Sequence, residues 1–132
     1  LNEVQVKGAP CEQDAVRMAR TMCGSSLVKT AVHGRDPNWG RIVAAAGRSG
    51  VAFDPDAVAL WIGDHQLMAD GQPLAFDRSA ASIYLSDRAC GSYLNDDVVL
   101  IRLHVGTGPG SGSGWGCDLS DQYVRINADY TT

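Results

Sequence analysis

An α+β fold, with a mixed and mostly antiparallel sheet carrying two to four helices packed on it, is what this 132-residue sequence predicts. Three observations carry that expectation. Residues 1–7 read Leu-Asn-Glu-Val-Gln-Val-Lys, the two-residue alternation of a half-buried strand. Ala15, Met18, Ala19 and Met22 recur at steps of three and four, the stripe of an amphipathic helix. Gly63-Asp64 and Asp70-Gly71 punctuate short apolar runs, where a tight turn needs the positive φ that Gly and Asp tolerate.

The remaining elements follow in order. The chain opens in mid-strand at Leu1, without a cap or a leader, and reads as part of something longer. Pro10 suits the first turn of the first helix and Gly24 closes it, with Met18 and Met22 as core packing rather than a cofactor box. Residues 27–32 form a short strand. Asp36 and Pro37 are then the cap and first turn of a helix running through Val43 and Ala46 to Gly47.

Residues 57–62 and 66–68 flank the Gly63-Asp64 turn as a hairpin. Residues 76–85 place Phe76, Ala80, Ile83 and Tyr84 on one helical face, with Asp77 near the start, where the macrodipole favours acid. Val98, Leu100 and Leu103 lie in the strongest strand of the chain, ending at Val105. Residues 106–114 read as a flexible connection to a returning strand at 115–119, the second half of a hairpin. Residues 120–132 read as a short helix and an extended tail.

Composition narrows the function classes. With 45% hydrophobic and 20% charged residues the chain can bury one core, hiding roughly two thirds of its unfolded surface, so one domain over residues 1–132 is expected. A formal charge of -4 with scattered Lys and Arg argues against a nucleic-acid backbone binder. No run of residues is apolar for long enough to span a bilayer as a helix, and a cytoplasmic, membrane-free protein is the expectation. Cys11, Cys23, Cys90 and Cys117 stand far apart without a Cys-x-x-Cys pair, which reads as reduced structural thiols and no metal site.

Three places invite a chemical reading. The glycine-rich 106–114 segment resembles a phosphate cradle, but no Lys follows and Trp115 comes next, so a plain loop is expected. Residues 29–42 crowd charged and amide groups around a Pro; Asp36 as cap, Asn38 as turn former and Trp39 as core plug explain most of it, leaving His33 and Arg41 as candidate ligand contacts. At the carboxyl end, Asn127 offers both a donor and acceptors, suited to an amino acid's ammonium and carboxylate, though such an amide more often bonds nearby backbone.

Read together, three ordered blocks carry a resemblance. Ser26-Leu-Val-Lys-Thr-Ala-Val32 with Asp36-Pro-Asn-Trp-Gly-Arg-Ile42, then Trp115-Gly-Cys-Asp-Leu-Ser120, then Tyr123-Val-Arg-Ile-Asn-Ala-Asp-Tyr-Thr-Thr132 resemble the ornithine acetyltransferase, or glutamate N-acetyltransferase, family of arginine biosynthesis. His33 and Ser120 stand where many members are expected to differ.

The resemblance implies a precursor that cuts itself before a Thr into α and β chains, with these residues forming the carboxy-terminal domain of β. It implies a ping-pong reaction in which the freed Thr takes acetyl from N-acetylornithine, releases ornithine and passes the acetyl to glutamate. It also implies no cofactor, acetyl-CoA as a donor in some members, an α2β2 assembly, and substrate contacts at Asn127 and Thr132. An amino-terminal Thr uses its own α-amine as base; this chain begins with Leu1, so it contains no catalytic residue of that kind and should not turn over alone.

Two other readings differ in class. One is a stand-alone α+β interaction module. The other is a hydrolase of the wider self-cleaving group, which hands the acyl group to water.

Overall fold

The computed structural model describes residues 1–89 and 98–117. It contains a mixed six-stranded sheet in the order β4-β3-β2-β5-β1-β6, formed by β1 (Asn2–Ala9), β2 (Ala59–Ile62), β3 (His65–Ala69), β4 (Gln72–Pro73), β5 (Val99–His104) and β6 (Gly110–Gly116). Only β1 and β5 run parallel; the other four neighbouring pairs are antiparallel. Four helices accompany it: α1 (Glu12–Gly24), α2 (Ser26–His33), α3 (Trp39–Gly47) and α4 (Arg78–Ala89). The fold is α+β, as the sequence predicts.

Alternation decides which face is the core. Val4 and Val6 of β1, Leu60 and Ile62 of β2, and Val99, Ile101 and Leu103 of β5 are all buried and lie on one face of the sheet. Against them pack Ala15, Met18, Ala19 and Met22 of α1, Val28 and Val32 of α2, Ile42, Ala45 and Ala46 of α3, and Leu85 of α4. The methionine stripe is therefore core, each fully buried side chain contributing about 2 kcal/mol. Pro10 lies one residue before the N-cap Cys11, so it precedes the first turn of α1 rather than occupying it.

The glycine-rich segment departs most from expectation. β6 already begins at Gly110 and pairs with β1, not with β5, so 106–114 is not a flexible hairpin connection. The spacing of its glycines explains why. A Cβ on Gly112 would fall 2.7 Å from Val16 Cγ2, one on Gly114 3.0 Å from the Ala19 carbonyl carbon, and one on Gly116 2.6 Å from the Cys23 carbonyl oxygen. Every second residue of β6 thus lets the α1 backbone rest directly on the strand, a contact that any side chain would hold apart.

Residues 27–32 are helical, not extended. Ser25 caps α2 by accepting from the Leu27 N–H at 3.2 Å, and Val28, Ala31 and Val32 bury at three- and one-residue steps that only a helix brings to one face. The cap of α3 is Asn38, whose Oδ1 accepts from the Arg41 N–H at 3.1 Å; Asp36 and Pro37 lie outside the helix. In α4 the buried face is Ala81 and Leu85, while Ile83 is 59% exposed; the helix starts at Arg78, after Asp77 accepts from the Ala80 N–H. The Gly63-Asp64 hairpin and the Asp70-Gly71 turn form as predicted, with φ of 57° at Gly63, 50° at Asp70 and 73° at Gly71. The expected helix and tail at 120–132 lie outside the described residues.

Candidate functional site

The phosphate-cradle reading of 106–114 fails on geometry. Gly108 donates its N–H to the Gly8 carbonyl at 3.1 Å, and the following residues enter the ladder with β1. Donors held within the sheet do not converge on an anion.

The corner between α2 and α3 holds the second candidate. The chain reverses through Arg35, at a φ of 53°, and the Asp36 N–H donates to the Ala31 carbonyl at 2.9 Å. Asp36 Oδ2 accepts from Asn38 Nδ2 at 3.3 Å, and Asp36 Oδ1 lies 3.6 Å from Arg78. Ser82 Oγ donates to the Arg35 carbonyl at 2.8 Å and Arg35 Nε donates to Ser86 Oγ at 3.2 Å, fastening the corner to α4. Trp39 packs on the core as the plug expected. His33 ends α2 and Arg41 lies in the first turn of α3, both half-buried. The named bonds are those of a folded corner.

A polar cluster closes the Asn2 end of the sheet. Asn2 pairs with Gly116, over which Cys23 sits, and its amide is fully buried, with neither Oδ1 nor Nδ2 hydrogen-bonded among the described residues. Burial pushes the neighbouring Cys23 thiol from 9.0 up to about 11, an effect that a hydrogen bond with the Val4 backbone and the charge of Lys29 only partly offset. The thiol stays protonated at neutral pH and is no nucleophile. Cys11 and Cys117 are exposed free thiols, and Cys90 lies outside the described residues.

The ArgJ family profile matches residues 1–132. The chain belongs to the ArgJ family. It is 72% identical over 132 residues to the arginine biosynthesis bifunctional protein ArgJ of Prochlorococcus marinus strain MIT 9313, covering 100% of this chain and 31% of that protein. It is 56% identical to the chloroplastic ArgJ of Populus trichocarpa, again over the whole chain and over 27% of the relative. A crystal structure of ArgJ from Bacillus halodurans superposes with a TM-score of 0.85 at 40% identity, covering 98% of this chain and 57% of that one. The chain therefore spans about a third of the length of the curated relatives it matches.

Within this ArgJ-family segment, the block at 26–42 is the α2–α3 corner, and Trp115 and Gly116 of the second block end β6. Asn127 and Thr132, the substrate contacts that the resemblance implies, lie outside the described residues. A further group lies on the sheet face opposite the helices. There Arg102 of β5 stands over the Trp61 ring at 5.4 Å, and the Trp61 and His104 rings lie 4.7 Å apart. Trp115 Nε1 donates to Glu3 Oε1 at 2.9 Å, and Gln5 Nε2 donates to Glu3 Oε2 at 2.7 Å. Burial, with Lys7 and Arg102 nearby, lowers the His104 pKa below its ordinary value. The signal was present in the alternation of β1 and β5, which assigns Glu3, Gln5, Lys7, Arg102 and His104 to one side.

Proposed function

We propose that this chain is the carboxy-terminal part of the β chain of a glutamate N-acetyltransferase in arginine biosynthesis, and that it supplies substrate-positioning groups rather than the nucleophile. The observation that carries this reading is the family match over the whole chain, together with relatives at 72% and 68% identity named arginine biosynthesis bifunctional protein.

In this reading a Thr supplied by an upstream segment attacks the acetyl carbonyl of N-acetylornithine, its α-amine taking the hydroxyl proton. The tetrahedral intermediate collapses, the amide C–N bond breaks, the proton passes to the leaving nitrogen, and ornithine departs. The glutamate amine then attacks the resulting ester, N-acetylglutamate leaves, and the Thr hydroxyl regains its proton. Acetyl-CoA is a donor that some members accept. Asn127 and Thr132 hold the amino-acid backbone of ornithine or glutamate by hydrogen bonds to its charged groups. The working protein is a cytoplasmic α2β2 assembly, and these 132 residues alone do not turn over.

The test is to incubate the full-length protein with N-acetylornithine, with and without glutamate, and to follow the acetyl group. N-acetylglutamate formed with one ornithine released per transfer supports the proposal. Acetate released with no N-acetylglutamate would make the protein a hydrolase and defeat it.

A further inference from the structure

We draw no further inference here: the strongest candidate, the polar cluster of Asn2 and Cys23 at the Gly116 end of the sheet, is enclosed by the chain itself, Asn2 at 0% and Cys23 at 2% exposure, so no ligand from outside reaches it.

Discussion

Tyr84 Oη accepts the backbone N–H of Leu100 at 3.1 Å, so a side chain of α4 completes the hydrogen bonding of β5 where β2 ends. Gly63, the residue after β2, donates its own N–H to the Leu100 carbonyl at 2.8 Å and lies so close to the Tyr84 ring that a Cβ would fall 2.7 Å from Cε2. Tyr84→Phe keeps the ring against Gly63 and removes only the acceptor. The variant should be destabilised by about 1 kcal/mol, the usual net worth of such a bond, and its thermal midpoint should fall by a few degrees. An unchanged midpoint would mean that Leu100 finds another acceptor.

The glycine ladder of β6 makes a sharper steric claim. Gly112→Ala puts a methyl group into Val16 Cγ2 and its backbone nitrogen, at 2.7 and 2.8 Å, with α1 held on the core by Met18 and Met22. Overpacking of this kind should cost about 1–3 kcal/mol. Ser113→Ala, one residue on and on the opposite face, should change stability by no more than about 0.5 kcal/mol. Denaturant titration of the two variants side by side separates the ladder from a general sensitivity of the strand.

Cys23 yields a pH prediction. Its folded-state pKa, raised to about 11 by burial, exceeds the ordinary value of 9.0, so above pH 9 the unfolded chain releases a proton that the folded chain retains. The stability this thiol contributes is complete below pH 9 and is lost as pH climbs toward 11. Thermal midpoints of the parent protein and Cys23→Ala across that window should converge as pH rises, the parent falling more steeply. Parallel curves would show that Cys23 ionises as freely folded as unfolded.

The particular elements show why some of this was legible and some was not. β1, α1 and the Gly63 and Asp70-Gly71 turns follow from local pattern, because alternation, a three-four stripe and positive-φ residues each have one economical solution. The segment 27–32 is a short apolar run that fits either period, and Ser25, one position before the helix, is the cue for α2. Asn38 rather than Asp36 caps α3, two residues on, between side chains that both favour the position. β6 was invisible because glycine is a poor strand former in isolation, and its reason for being there is α1, which lies about 90 residues earlier in the chain. The candidate contacts Asn127 and Thr132 came from resemblance alone, whereas the polar face of the sheet could have been read from Glu3, Gln5, Arg102 and His104 once β1 and β5 were known to pair.

The central claim, that the end of this chain grips the substrate of a transferase whose nucleophile lies elsewhere, is tested most directly by Asn127→Ala in the full-length protein. Two quantities are measured together: kcat/KM for acetyl transfer from N-acetylornithine to glutamate, and the intact masses of the chains, which report self-cleavage. Loss of a hydrogen bond to a charged group is worth about 1.5–3 kcal/mol, so kcat/KM should fall roughly tenfold to a hundredfold with cleavage unaffected. Transfer at the parent rate would remove Asn127 from the site and contradict the account.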